Sequence, residues 1–438
     1  MIFIVVGLLV GCSGGAQQPV DEISEEALQH LMDGKYEEVL EIYVDDSLKA
    51  SMSEEELKQE WESRTLNSGE LLEDVTWSFS ETGSHEIAEA ELVFTDVIFQ
   101  IRLTFNEARR IAGIYFSHGY ANAQLPDSVF EEEVVVGVGT EFELGGTLTL
   151  PENLEEGSVP AVVLVQGSGP SNRDEAVYGY RPFRDIAWGL AEQGIAVLRY
   201  DKRTYTYRNE MAQQETITVK EETVDDAILA AELLKGDTRI DADNVYIVGH
   251  SLGGMLAPRI DAEGGDFAGI VVLGGSARPL WEIIYDQNLH FLATEDFDEA
   301  AEHEYLQMLE IEREKAERMS KFTEEDAKAE TIFGLPAFYF LEMDSFPTRD
   351  VLEDFEKPIF ILHGEDDFQV TMEQDFPLWK ELLGENEWAL IQSYEGLNHF
   401  FISYEGPHKG TINEYDYPNI VDRNVISDIG QWIWAQVE

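Results

Sequence analysis

Val245-Tyr-Ile-Val-Gly-His-Ser-Leu-Gly-Gly254 is the stretch on which the reading of this chain turns. Four apolar residues, Val245 to Val248, spell a short buried strand. Gly249-His250-Ser251-Leu252-Gly253 then fits G-x-S-x-G, and Met255-Leu256-Ala257 continues as a helix. A serine between such a strand and such a helix occupies a sharp, strained turn that lifts its hydroxyl above the sheet edge. Gly249 and Gly253 supply the room that a strained turn needs. The helix N-terminus beneath the serine favours developing negative charge. Ser251 is therefore the candidate nucleophile, and the spacing predicts a nucleophile elbow rather than a chance match.

Around it lies a chain of 438 residues with 44% hydrophobic content, enough for two or three domains with sizeable cores. Its 88 acidic residues against 29 basic ones give a formal charge of −59. Such a chain repels nucleic acid and anionic lipid surfaces, so no nucleic-acid partner is expected. The acids are spread throughout, which reads as adaptation to a salty or alkaline medium that screens self-repulsion. No D-x-[DN]-x-[DN]-G loop points to calcium. The one cysteine, Cys12, excludes an intrachain disulfide and a thiolate zinc cluster, and no metal site is expected.

Ile2 to Val10 is an apolar run too short to span a bilayer, and it ends in Leu9-Val10-Gly11-Cys12. This resembles a bacterial lipoprotein signal. The resemblance implies cleavage before Cys12 and lipid attachment to its thiol, hence an extracytoplasmic, lipid-anchored protein that meets the membrane only through that anchor. A basic segment before the run is missing, which leaves open a true start elsewhere. The alternative is a plain apolar terminus with a stray cysteine.

Residues 1–11 thus read as a signal peptide and 12–20 as a tether. From 21 to 119 the pattern is helical and then alternating. Ser24 is a candidate N-cap, and Ser53-Glu-Glu-Glu56 is a capping box leading to Leu57 and Trp61. Val97-Ile-Phe-Gln-Ile-Arg-Leu-Thr-Phe105 alternates as a half-buried strand. Helices followed by a meander predict a small α+β domain. Asp33-Gly-Lys-Tyr-Glu-Glu-Val-Leu40, with the strands after it, resembles the NTF2-like domains at the N-terminus of some secreted hydrolases. His85 and His118 read as structural histidines.

Residues 120–130 read as a linker. The leading hairpin (134–138 and 142–150), strands 161–165, 195–200, 245–248, 269–273, 358–363 and 388–392, and helices 184–193, 219–235 and 424–437 then alternate. Continuous apolar strands separated by helices predict a parallel sheet covered on both faces, carried by 131–276 and 351–438. Residues 277–350 carry no strand signal. Glu295 to Lys321 reads as one or two amphipathic helices and Glu324 to Ala329 as the start of another, so this segment is a candidate helical cap or else a surface excursion. Phe333, Phe338, Tyr339, Phe340 and Phe346 either line an acyl pocket or form the cap's own core.

A reactive serine needs a base and a group to orient it. Gly364-Glu-Asp-Asp-Phe-Gln-Val370 follows a buried strand, and an acid there sits at a strand's carboxyl end. Asp367 fits best, with Asp366 as competitor. Beyond it lie only His399 and His408. His399 follows the last strand directly, whereas His408 is further out. Ser251, Asp367 and His399 make the candidate triad. The expected oxyanion donors are the backbone N–H of Leu252 and, from the small-residue loop Gln166-Gly-Ser-Gly-Pro170, that of Ser168. His250 and His363 read as packed structural residues.

Gln166-Gly-Ser-Gly-Pro-Ser-Asn-Arg-Asp-Glu175, Leu198-Arg-Tyr-Asp-Lys-Arg-Thr204 and Gly249-His-Ser-Leu-Gly-Gly254 together resemble bacterial α/β-hydrolase carboxylesterases of the dienelactone-hydrolase and acyl-peptidase type. The resemblance spans about residues 130–438. It implies an α/β-hydrolase fold with a cap, preceded here by the α+β domain, and hydrolysis of short-chain carboxylic esters without a cofactor. Gln166 stands where family members usually carry histidine. Arg173, Asp174, Asp201 and Arg203 lie in the shared motifs and either bind substrate or brace the oxyanion loop through ion pairs. An acyl-peptidase activity and a non-catalytic binding role are the alternatives, and oligomeric state is not readable.

Overall fold

The computed structural model describes residues 18–65, 68–72, 75–152, 154, 159–214, 216–353 and 355–437. Cys12 and the apolar run before it lie outside the described residues. The chain divides into two compact units, Met1–Asn122 and Ala123–Glu438.

In the first unit, helices Val20–Met32, Tyr36–Ile42, Asp46–Lys49 and Glu54–Thr65 precede an antiparallel meander of Trp77–Thr82, His85–Val93, Val97–Phe105 and Ile111–Phe116. Alternate residues of Val97–Phe105 are buried, and Trp61 packs edge-on against Phe99 and Phe116 in that core. The capping box forms: Glu56 N–H donates to Ser53 Oγ and Ser53 N–H to Glu56 Oε2. Ser24 is not a cap. Its helix begins at Val20 after Pro19, and the buried Ser24 hydroxyl turns back onto Val20 O at 2.8 Å, a bond open to serine inside a helix as well as at its start.

The second unit is an eight-stranded mixed sheet. Its strands are β1 (Val129–Val136), β2 (Leu144–Pro151), β3 (Val159–Val165), β4 (Ala196–Tyr200), β5 (Ile240–His250), β6 (Ile270–Leu273), β7 (Ile359–Gly364) and β8 (Ala389–Tyr394). They lie in the spatial order β8-β7-β6-β5-β3-β4-β2-β1. β3 to β8 pair in parallel, while β1 with β2 and β2 with β4 run antiparallel. β1 begins at Val129, inside the span read as linker, and Tyr120–Ala121 pairs with the meander of the first unit.

The parallel strands are apolar on both faces because both are covered. Val163, Val165, Val245 and Ile247 face one core, and Val162, Leu164, Tyr246 and Val248 face the other. Helices α1 (Pro182–Ala191), α2 (Asp225–Gly236), α3 (Leu252–Ile260), α7 (Met372–Leu383) and α8 (Arg423–Val437) supply the outer layers. Residues 220–224, read as the first turn of α2, form a π-helical turn.

The insertion carries α4 (Leu280–Thr294), α5 (Glu299–Arg318) and α6 (Ala337–Asp344). α4 escaped the periodicity reading because apolar residues surround it, as befits a helix with more than one covered face. The strandless reading of 277–350 also needs correction: Thr331–Ile332 and Leu335–Pro336 close a minimal hairpin around Phe333 and Gly334, both at positive φ.

Candidate active site

The carboxyl ends of β3, β5, β7 and β8 converge, which is where open parallel sheets build their sites. β5 ends at His250 and α3 begins at Leu252, so Ser251 alone makes the turn. Its φ is 52° and its ψ −116°, a conformation that costs a residue with a side chain about 1–3 kcal/mol. Strand, turn and helix touch backbone to backbone. A Cβ on Gly249 would stand 2.3 Å from Gly253 O, and one on Gly253 would stand 2.2 Å from Val165 O. Ser251 N–H donates to Leu273 O on β6 at 2.9 Å, and Met255 N–H donates to Ser251 O at 2.9 Å. Leu252 opens the helix, so its N–H belongs to the donors that a helix N-terminus leaves unsatisfied.

The loop after β7 supplies Asp367, and the loop after β8 supplies His399. His399 Nδ1 lies 2.7 Å from Asp367 Oδ2. The other carboxylate oxygen accepts from Gln369 N–H at 2.8 Å and Val370 N–H at 2.9 Å. Burial pushes the Asp367 carboxyl upward, but His399, His363 and the Val370 N–H outweigh it and hold it below the ordinary carboxylate value. At His399 burial dominates and holds the imidazole below its ordinary value against the pull of Asp367. A neutral ring that donates Nδ1–H to an ionised carboxylate keeps a lone pair on Nε2, the state a general base requires. Among the described hydrogen bonds none joins Ser251 Oγ to His399; such bonds commonly tighten only in the Michaelis complex.

Asp366, the competing acid, is engaged elsewhere, its Oδ2 2.9 Å from Lys409 Nζ. His408 stacks on Tyr417. His363 bonds Val370 O at 2.8 Å and so steadies the acid loop. Asn398, which carried no sequence signal, braces the histidine loop. Its Oδ1 accepts from Phe400 N–H and Ile402 N–H, and its amide donates to Glu414 Oε1 at 2.8 Å.

His250 is more than packing. Its ring centroid lies 4.7 Å from that of His399. Its Nε2 is 3.0 Å from His399 O and its Nδ1 is 3.0 Å from Glu175 Oε1. Burial opposes charge on His250, but Glu175 and the His399 carbonyl outweigh it and raise the imidazole above its ordinary value. Any charge on His250 works against protonation of His399. Glu175 Oε1 also accepts from Gly167 N–H at 2.6 Å, so the same carboxylate reaches the loop after β3.

That loop carries Ser168. Its first residue, Gln166, donates through Nε2 to Tyr200 O. The charged residues of the shared motifs are spent in ion pairs. Arg173 meets Asp201 at 2.9 Å and Glu133 at 2.6 Å, Arg199 meets Asp174 and Glu131, and Arg203 meets Asp226 at 2.6 Å. None of Arg173, Asp174, Asp201 and Arg203 lines the cavity at the serine.

That cavity measures about 330 Å³ and is bounded by Ser251, Leu252 and Ser168. The insertion roofs it with Ile283, Ile284, Leu335 and Tyr339, so these residues form a cap over the site. Of the five aromatics, Tyr339 lines the cavity and Phe340 lies in the core beside it. Phe346 covers Arg259, and Phe338 lies under Lys328. A wider cleft of about 520 Å³ shares Met255 and Leu280 with this cavity but does not reach Ser251. Two of its arginines are paired, Arg259 with Glu342 and Arg278 with Asp375, and it is the smaller cavity that meets the Ser251 turn.

Comparisons with known proteins identify the family. A family model described as "Alpha/beta hydrolase family" matches residues 162–410, and one described as "Protein of unknown function (DUF3887)" matches residues 24–114. Esterase EstD of Thermotoga maritima is 34% identical over 411 residues, covering 93% of this chain and 93% of its own. Among solved structures, Est1E from Butyrivibrio proteoclasticus is similar at 16% identity and a TM-score of 0.44, over 70% of this chain and 98% of its own. Dienelactone hydrolase from Anabaena variabilis is similar at 16% identity and a TM-score of 0.40, over 70% of this chain and 98% of its own. With a family model over more than half its length and a relative matched almost end to end, the chain belongs to the α/β-hydrolase family.

Proposed function

We propose that this protein is a serine carboxylesterase in which Ser251, His399 and Asp367 transfer an acyl group to water. The observation that carries the reading is the buried Asp367–His399 pair at 2.7 Å, beside a serine strained on a glycine-walled turn. His399 Nε2 takes the Ser251 proton as Oγ attacks the ester carbonyl. Asp367 holds the imidazole tautomer and stabilises the imidazolium. The tetrahedral oxyanion is met by the N–H groups of Leu252 and Ser168; losing one such donor costs about 3–4 kcal/mol in the barrier. Collapse breaks the ester C–O bond, and the imidazolium protonates the leaving alcohol. Water, deprotonated by His399, then attacks the acyl-enzyme and returns Ser251 and the acid.

The acyl group occupies the cavity under the cap. Its volume of about 330 Å³ is near the lower end of the ~300–1,000 Å³ common for small-molecule pockets, and its walls are mostly apolar side chains. Both features favour short-chain esters. The test is hydrolysis of a p-nitrophenyl ester series from acetate upward, beside peptide amides, by wild type and Ser251→Ala. Ester turnover that falls with chain length and vanishes in the variant is expected; equal rates in the two proteins exclude Ser251 as nucleophile. Amide turnover exceeding ester turnover would favour the acyl-peptidase reading instead.

We further propose, from sequence alone, that Cys12 carries a lipid anchor that places the enzyme outside the cytoplasm, and that the first unit is an NTF2-like accessory domain. Cys12→Ser should move the protein from the membrane fraction to the soluble one.

A further inference from the structure

The peptide between Gly167 and Ser168 is held from behind by a lysine. Lys202 Nζ donates to Gly167 O at 2.8 Å. Lys202 follows β4 by two residues and is 1% exposed, an unusual place for an ammonium group. Its counter-charge is Glu222, also buried, at 2.9 Å. The second Glu222 oxygen accepts from Tyr339 Oη at 2.7 Å, and Tyr339 belongs to the cap helix α6. Glu222 and Tyr339 both line the cavity that holds Ser251 and Ser168. A line of polar contacts thus runs from the cap through Glu222 and Lys202 to the oxyanion loop.

The orientation has a consequence. The C=O of Gly167 and the N–H of Ser168 belong to one peptide unit, and cis peptide bonds are absent among the described residues. In a trans unit those two bonds point in opposite directions. Pinning Gly167 O on Lys202 therefore aims Ser168 N–H away from the lysine. The N–H of Gly167 is already committed to Glu175, so the next donor along the loop is that of Ser168. A cation on the carbonyl also polarises the peptide and makes its N–H a stronger donor. Resting on the esterase reading above, we propose that Lys202 is a positioning residue of the oxyanion hole. It orients and polarises the Ser168 N–H, and Glu222 and Tyr339 hold its charge in place beneath the bound acyl group. A buried Lys–Glu pair that merely braced the fold would act on stability alone.

The experiment uses the full chain. Lys202→Met combined with Glu222→Gln removes both charges, so neither is left buried without its partner. Lys202→Arg keeps a cation, and Tyr339→Phe removes only the hydroxyl on Glu222. Each is assayed for kcat and KM on p-nitrophenyl acetate, for Ki of a trifluoromethyl ketone whose serine adduct carries the oxyanion, and for Tm. The double variant should lose about 10–100-fold in kcat, somewhat less than loss of a whole donor. Its KM should move less than about threefold, and its ketone Ki should rise in parallel with the fall in kcat. Lys202→Arg should recover part of both losses. Tyr339→Phe should lower kcat and ketone affinity together by a few-fold, and this decides the matter if the double variant does not fold. A folded double variant with wild-type kcat and Ki would overturn the proposal, as would a Tyr339→Phe enzyme with both unchanged. If wild type and Ser251→Ala turn over esters alike, the esterase reading itself fails. If only the Lys202 variants keep full rate, that reading stands and the role of Lys202 falls.

Discussion

Replacing Gly253 by alanine adds one methyl group, yet it should disable the enzyme more than it unfolds it. On helix propensity alone the change is favourable, since alanine exceeds glycine by about 1 kcal/mol in a helix. The packing says otherwise. The new Cβ would stand 2.2 Å from Val165 O and 2.8 Å from Gln166 O. Real Cβ contacts essentially never fall below 3.0 Å, so the first turn of α3 or the end of β3 must yield by at least 0.8 Å (3.0 against 2.2). Neither obstacle is a flexible side chain. Overpacking of this kind costs about 1–3 kcal/mol, which offsets the propensity gain and leaves a net loss of up to about 2 kcal/mol. The displaced atoms are those of the proposed mechanism, because α3 presents Ser251 and Leu252 N–H while β3 leads into the loop of Ser168. A misplacement near 1 Å costs on the order of 100-fold in rate. The measurement pairs urea unfolding with steady-state hydrolysis of p-nitrophenyl acetate. Gly236→Ala serves as control: that glycine ends α2 with nothing within 4 Å of its added Cβ. Gly253→Ala should keep its unfolding transition and lose about 100-fold in kcat/KM, while Gly236→Ala keeps full activity. A Gly253→Ala enzyme that is both more stable and fully active would refute the close-contact elbow.

Four further outcomes follow from the site. In the proposed mechanism His399 works only when neutral, and its imidazole is held below the ordinary value near 6.5, so kcat/KM should persist below pH 6.5 before its acid limb falls. His250→Gln, which takes away a neighbouring titratable group that holds His399 down, should move that limb to higher pH; a limb that stays put would deny the coupling. Asp367→Asn should lower kcat by about 10⁴-fold through loss of the imidazole tautomer, whereas Asp366→Asn breaks only a half-exposed pair with Lys409, worth about 0–1 kcal/mol of stability, and should leave turnover within about threefold. Ile283→Trp, placed in the roof of the cavity, should cut turnover of longer acyl esters far more than that of acetate. A uniform loss across the chain-length series would place the acyl group elsewhere.

The elbow was legible because its constraint is local and steric. Ser251 must turn between strand and helix, and only glycine tolerates the backbone contacts at 249 and 253, so the demand is written as a pattern. The meeting of Asp367 with His399 was legible through position, since each follows an apolar strand at the same edge of the sheet. What escaped depends on partners far away in the chain. Glu222 sits in an unremarkable acidic run, and nothing there announces that Tyr339 of the cap will reach it. Lys202 and Glu175 lie in quoted motifs, but their targets are atoms of Gly167, which no spacing rule names. His250 reads as packing from sequence because its neighbours along the chain say nothing of Glu175. Ser24 misled because the signals for a cap and for a hydroxyl folded back inside a helix are the same residue type. α4 gives no clear period because apolar residues lie all around it, and a helix without a polar face loses the repeat by which helices are recognised.

The most direct measurement is intact-mass analysis after treatment with a fluorophosphonate ester, followed by peptide mapping. One phosphonyl group per chain should form on Ser251, none in Ser251→Ala, and far more slowly in His399→Ala. An adduct on another residue, or labelling of Ser251 at an undiminished rate without His399, would contradict a hydroxyl made reactive by that imidazole.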